Sequence, residues 1–392
     1  MKSIDNTSLY VNAACIIGEW IYFTSYNSSW LFRLNVETKD LEALHLLFGT
    51  KTGMKFSGLY YYNGMIWMIP WSTDYIYVYK LKEAVIEQLP LPSEITEYSN
   101  SKLFRKSIIQ GKYLWLLPCE YPGIVRVDME DKSYKIFNEW PAGIFFDKTK
   151  KMNFKMMDLY DNEIYLFNDA CSMSIKLSTD TGVMAEWKEG HNQLFGTISR
   201  GKLYTSPVNE YDPVKIIRLG CNEISKTLNL PENVWMKQNY LYCYWYAKKF
   251  DNKIFFMPHE ANGILMMDVD EENSIDILTI DDSDYETARQ NKNYAVYDIL
   301  PYKEKYLTIP FQGNKIVLFN QKGSIEKEYL LQTEKKYLEN YFNENNMFNI
   351  VDFANIIKST EYVKVNWNSA DYNQTIGNIG YKINKVILEG IK

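Results

Sequence analysis

The sequence predicts an all-β fold, a seven-bladed β-propeller with a short C-terminal helical extension. Three observations carry that prediction. One strand motif recurs seven times at intervals of 39 to 52 residues. The chain holds 32 Tyr, 19 Phe and 10 Trp, side chains that favour pleated, half-buried surfaces. The pattern changes beyond Leu331, where helical spacing replaces strand patterning.

In each copy a turn rich in Gly, Asn or Asp precedes four or five apolar residues, closed by Pro or a small polar residue. The copies are Ile21-Tyr22-Phe23-Thr24-Ser25, Ile66-Trp67-Met68-Ile69-Pro70, Leu114-Trp115-Leu116-Leu117-Pro118, Ile164-Tyr165-Leu166-Phe167-Asn168, Leu203-Tyr204-Thr205-Ser206-Pro207, Ile254-Phe255-Phe256-Met257-Pro258 and Tyr306-Leu307-Thr308-Ile309-Pro310. Proline fits a strand end, where no ladder donor is required. A short polar loop follows, then a second apolar strand (30–34 in the first copy, 75–79 in the second) and a weaker third, such as 85–89. A further apolar stretch lies before each turn, as at 56–61 and 104–109. Four short strands per unit at this spacing make a propeller blade, whereas a solenoid would show shorter or helical repeats. The blades are expected at about 10–46, 54–91, 102–139, 152–189, 193–230, 241–280 and 293–332, with the acidic run 281–286 as a solvated connection. Segments 335–345 and 347–358 read as helices. Ile376, Ile379, Ile383, Val386 and Ile387 continue at near-helical spacing. Residues 333–392 are therefore expected to pack on the propeller as a helical extension, or to offer a surface to a protein partner.

Composition excludes several classes. A net charge of -6 argues against a nucleic-acid protein, since phosphate binding needs a basic face. The first eight residues are polar, and the longest apolar runs, such as 65–71, fall far short of the ~20 residues a membrane helix needs. Five widely spaced cysteines (Cys15, Cys119, Cys171, Cys221, Cys243) without a CxxC pair suit reduced thiols and give no zinc signature. A cytoplasmic location, no membrane and no metal site are the expectations.

The Gly/Asn–Ile-Tyr-Phe–x-Pro core of these repeats resembles the blades of bacterial seven-bladed propellers in the broad Kelch- and PQQ-like group. The resemblance covers residues 10 to 332 and implies fold, not chemistry. The stretch Thr179-Asp180-Thr181-Gly182-Val183-Met184-Ala185-Glu186-Trp187 is similar to the end of a PQQ-type repeat, but it stands in one blade of seven, so no cofactor is expected. Paired Kelch glycines, Trp-Asp endings and the sialidase box are absent.

Binding residues concentrate on loops held by a rigid scaffold. In a propeller the loop after the Pro position and the start of the innermost strand share one face around the channel. The post-Pro residues are Tyr26, Trp71, Cys119, Asp169, Val208, His259 and Phe311; the next include Glu120, Glu260 and Gln312. With three histidines in the chain, His259-Glu260 is the sharpest constellation: His259 could act as general base or acid, with Glu260, Glu120 and Asp169 as carboxylates to share acid and base roles. Tyr26, Trp71, Arg105, Lys155, Tyr242 and Gln312 are the candidate substrate-binding residues. Lys55, Arg105 and Lys155, each beside a Phe, could form a positive arc for a carboxylate, phosphate or acidic sugar, faced by an aromatic wall from blade six. No Gly-rich phosphate loop, Gly-x-Ser-x-Gly or His-Glu-x-x-His motif is present. The leading expectation is a propeller that binds a polar or anionic small molecule, glycan or peptide at the central-channel face. A lyase or hydrolase acting on a sugar or modified peptide at the same place is the alternative, and a protein-interaction scaffold the third.

Overall fold

The computed structural model describes residues 8–47, 55–97, 102–142, 154–168, 174–187, 195–209, 212–221, 223–236, 243–280, 295–311, 313–334 and 337–338. Within these, seven separate four-stranded antiparallel sheets follow one another along the chain, each made of four consecutive strands, here A to D. They run from the first strand at Val11–Ile17 to the last at Ile325–Leu330.

The A strands of successive blades meet around the ring, including that of blade seven against that of blade one, so strand A is innermost. The B strands carry the repeat motif and are buried almost throughout (Ile66 to Pro70 and Leu114 to Pro118, for example), because each lies between the faces of neighbouring blades. That explains why the motif reads as a continuous apolar run instead of an alternating one. The outer D strands show the wet side: in Ile325–Leu330 only Tyr329 is buried. Asn63-Gly64, with φ of 47° and 76°, joins A to B in blade two. Positive φ at both turn positions matches the right-handed twist of the strands, which is why Asn-Gly is the strong hairpin signal.

Blades one and seven share no strand, so the ring closes by other means. Leu9 N–H donates to the Leu331 carbonyl and Val11 N–H to that of Gly313, both at 3.0 Å. Tyr329 hydroxyl donates to the Val36 carbonyl at 2.7 Å. Glu37 of blade one gathers Tyr302 (2.6 Å), Lys303 (2.7 Å) and Lys327 (3.5 Å) of blade seven, and hydrogen bonds from Lys303 and then Tyr302 hold its carboxyl down to about 2. Tyr337 stacks edge-on against Trp30, and Leu338 is buried in the same cluster. The helices expected over 335–345, 347–358 and 374–391 lie outside the described residues, apart from Tyr337 and Leu338.

Candidate functional site

The post-Pro residues are fixed by a repeated backbone bond. Tyr26, Trp71, Cys119, His259 and Phe311 each donate their N–H to the residue just before the inner strand of the same blade: Tyr10, Lys55, Leu103, Cys243 and Ala295, at 2.7–2.8 Å. Further bonds step between blades, from Leu103 N–H to the Trp71 carbonyl (2.8 Å) and from Cys243 N–H to that of Val208 (3.0 Å). The two sets of positions expected to share a face are therefore held against one another around the channel mouth.

The inner strands carry a second regularity. In six blades the A–B register slips by one residue directly after the first residue of strand A, leaving a β-bulge at Asn12, Ser57, Arg105, Lys155, Trp245 and Tyr297. The corresponding residue of blade five lies outside the described residues. A bulge leaves its extra residue unpaired and re-aims its side chain. Here the re-aimed side chains reach across the mouth. Tyr297 of blade seven donates to the Ser57 carbonyl of blade two at 2.7 Å, passing blade one. Trp245 Nε1 donates to the Val296 carbonyl at 2.8 Å. The charge of Arg105 acts on Tyr246 of blade six.

Three of these side chains have buried polar atoms with no hydrogen-bond partner: both amide atoms of Asn12 (1% exposed), the hydroxyl of Ser57 (4% exposed) and Nε of Arg105. Native proteins leave few such groups, because each unmade bond costs about 1–3 kcal/mol. An aromatic cluster shares the mouth with them. The Trp245 ring lies 4.6 Å from His259, 4.7 Å from Phe311 and 5.8 Å from Tyr297, and Tyr26 meets Phe311 edge-on at 6.2 Å.

One residue further in, the channel is crossed. The Lys106 ammonium sits 4.4 Å from the Tyr246 ring centroid, and Lys248 pairs with Asp298 at 2.7 Å. Tyr60 of blade two donates to the Ser107 carbonyl of blade three at 2.6 Å. Burial pulls Lys106 below its ordinary value despite the opposing pull of Asp298, and pushes Tyr246 up to about 12. Deeper still, Asp158 accepts from Thr197 hydroxyl (2.8 Å) and Ile198 N–H (2.7 Å). Below the bulge layer the channel is thus bridged by side chains.

Of the residues expected from sequence, Tyr26, Trp71, Arg105, Lys155, Glu120, His259 and Glu260 stand on this face. Asp169, Tyr242 and Gln312 lie outside the described residues. The His259 ring packs on Trp245 and Phe311. Glu260 donates its N–H to the Cys243 carbonyl at 3.2 Å. Glu120 is only 7% exposed, uncommon for a carboxylate. The Trp71 ring is faced by Lys102 at 5.6 Å. Arg105 hydrogen-bonds the Cys119 sulfur, whose thiol burial pushes up to about 11. Lys155 is half-buried at its bulge.

Lys55 departs from expectation. It precedes the first strand residue Phe56, whereas Arg105 and Lys155 follow theirs, so the residue in register with them is Ser57. Lys55 is 0% exposed and turns sideways into blade one, donating to the Ser28 carbonyl (2.5 Å) and Ser29 hydroxyl (3.2 Å); burial pulls its pKa down to about 7. The positive arc is therefore Arg105 and Lys155 with Lys106 beneath. Sequence reasoning missed Asn12 and Ser57. Aligning the second residue of each inner strand would have found them.

Away from the channel, a cavity of about 330 Å³ is lined by Asp212, Pro213, Leu230, Val234 and Met236, of blade five and the segment after it. Among the described residues no three His, Cys, Asp or Glu side chains gather as a metal site, and no helix is long and apolar enough to cross a membrane.

No family model and no curated protein matches the chain. Solved structures do. A streptogramin B lyase is 13% identical, covering 80% of this chain and 93% of that one, with a TM-score of 0.53. YCF48 bound to D1 peptide is 11% identical over 80% and 93%, with a TM-score of 0.54. PorZ, a surface component of the type-IX secretion system of Porphyromonas gingivalis, is 9% identical, covering 83% of this chain and 39% of that one, at 0.55. The likeness is one of fold. It agrees with the seven-bladed propeller read from the strands and assigns no chemistry.

Proposed function

We propose that this propeller is a binding protein that takes a polar, anionic ligand at the channel mouth. One observation carries the reading: the bulge layer buries unpartnered polar atoms of Asn12, Ser57 and Arg105 beside an aromatic cluster. Folding alone gives no reason to keep such groups, since replacing them by apolar ones of similar shape is close to neutral or stabilising. Arginine supplies a fork suited to carboxylate or phosphate, and Lys155 adds a second cation. Reduced cysteines at Cys15, Cys119, Cys221 and Cys243 support a cytoplasmic location for this binding.

The experiment is a thermal-shift screen of sugars, sugar acids, nucleotides, peptides and divalent ions, with wild type beside Arg105→Met and His259→Ala. A ligand that raises the wild-type Tm and leaves that of Arg105→Met unchanged supports the reading. Stabilisation that survives in Arg105→Met moves the site elsewhere.

An enzymatic reading has one observation in its favour: the buried carboxylate of Glu120 shares the face of His259. Turnover of the bound ligand, lost in His259→Ala and Glu120→Gln with binding retained, would establish a lyase or hydrolase. The D1 peptide bound to YCF48 makes peptides a necessary arm of the screen.

A further inference from the structure

We infer that Lys106 is a nucleophilic amine, set in the channel below the bulge layer to capture the carbonyl group of an aldehyde as an imine. This goes beyond the binding reading, uses none of its unpartnered groups and is tested apart from it.

Lys106 follows the bulge residue Arg105 in strand A of blade three and pairs with Leu117. Its ammonium crosses to blade six, 4.4 Å from the Tyr246 ring centroid. Among the described residues no carboxylate, carbonyl or hydroxyl accepts a hydrogen bond from it. Its neighbours are held differently. Lys55 donates to the Ser28 carbonyl and Ser29 hydroxyl, and Lys248 to Asp298 (2.7 Å) and the Ile299 carbonyl (3.1 Å). Lys249 donates to the carbonyls of Leu159 and Ile198. A ring face attracts a cation without satisfying its three N–H donors.

The charges that act on Lys106 come from three other blades. Lys248 of blade six disfavours a second cation, whereas Asp298 of blade seven and Asp158 of blade four favour one. Both carboxylates are already engaged: Asp298 accepts from Lys248 and Ile299 N–H, and Asp158 from Thr197 hydroxyl and Ile198 N–H. Burial outweighs them and favours the neutral amine. Desolvation beside another cationic group is the setting that frees a lysine for nucleophilic attack. Lys55 is completely enclosed, whereas Lys106 is half-buried and so not sealed from small molecules. In the reaction the amine lone pair attacks the carbonyl carbon, and the carbonyl π pair passes to oxygen. Two protons from nitrogen then leave with that oxygen as water and a C=N bond forms; nothing is oxidised or reduced. An aldehyde suits a channel bridged by side chains better than a ketone, because its carbonyl carbon is less hindered.

The test is reductive alkylation of the folded, full-length protein at pH 7 with acetaldehyde or butyraldehyde and cyanoborohydride, which delivers hydride to an imine. Peptide mass spectrometry reads the rate at each lysine. Lys106 should be alkylated at least about ten times faster than the exposed Lys82 and Lys322. Lys106→Arg, which keeps a cation over the ring, should lack the fast phase. Wild type unfolded in urea should lose the preference, since the fold creates it. If Lys106 reacts no faster than Lys82 and Lys322 in the folded protein, or keeps its lead in urea, the inference is overturned. Anion binding at the mouth, read through Arg105→Met, stands or falls independently of either result.

Discussion

Lys55 offers a sharp test of the packing around the mouth. Its side chain is completely enclosed between blades one and two, and burial pulls its pKa down to about 7. An unfolded lysine keeps a pKa near 10.4. Below pH 7 both states are protonated and the folded state bears the full cost of an enclosed charge. As pH rises through 7 the folded state releases its proton while the unfolded state keeps its own until about 10.4. Stability from this residue therefore rises between pH 7 and 10, at up to ~1.4 kcal/mol per pH unit. Between pH 6 and pH 9 the gain is about 2.5 kcal/mol. In a propeller of this size that corresponds to roughly 3–4 °C in Tm, from ~2.1 cal/mol/K of unfolding entropy per residue. The perturbation is Lys55→Met, which keeps the stem and removes the amine. Losing the bonds to Ser28 and Ser29 lowers stability by a pH-independent amount, so the diagnostic quantity is how the wild-type-minus-variant difference changes with pH. Urea melts at pH 6, 7.5 and 9 should show that difference growing in favour of wild type by about 2.5 kcal/mol. A difference that stays constant across this range would refute the argument, because Lys55 would then titrate alike in both states.

Three other predictions concern separate parts of the molecule. Ser57→Ala, which removes a buried unpartnered hydroxyl, should raise the Tm of the ligand-free protein by a degree or more, about 1 kcal/mol, while weakening ligand binding; a fall in Tm would mean the hydroxyl is satisfied. Gly58→Ala should cost about 2 kcal/mol in denaturant melts, since the new Cβ would stand 2.8 Å from the Tyr60 ring and 3.0 Å from Ser107 Oγ, disturbing the bond that joins blades two and three. Glu37 has a folded-state pKa of about 2, below its unfolded value, so its contribution to ring closure is present above the ordinary carboxylate range and is lost as pH falls toward 2. Glu37→Gln should accordingly lower the Tm at pH 6 and match wild type more closely at pH 2, as read by calorimetric scans.

The candidate site was legible in outline. Tyr26, Trp71 and His259 could be placed on one face because each follows the same residue of a periodic motif, and a repeat converts sequence position into angular position around a ring. Val208, by the same count, follows Pro207, and blade five keeps that register although its inner strand is described only over Gly196–Ser199. Asn12 and Ser57 drew no notice because an Asn or Ser in an apolar run looks like an interruption until its counterparts in the other blades are laid beside it.

What the sequence determined by itself is the architecture: seven units, their apolar B strands and the turns rich in Gly, Asn or Asp that precede them. These depend on side-chain periodicity and turn chemistry within a few residues of one another. Only the tertiary structure decided which side of the inner strand faces the channel. A bulge inserts one residue, and one residue is the whole difference between the two faces of a strand, so neither Lys55 nor Ser57 could be assigned without knowing that Phe56 pairs with Pro70 and Gly58 with Ile69. The closure of blade seven onto blade one was likewise settled by contacts such as Tyr302 to Glu37, between groups 265 residues apart, for which no local pattern exists.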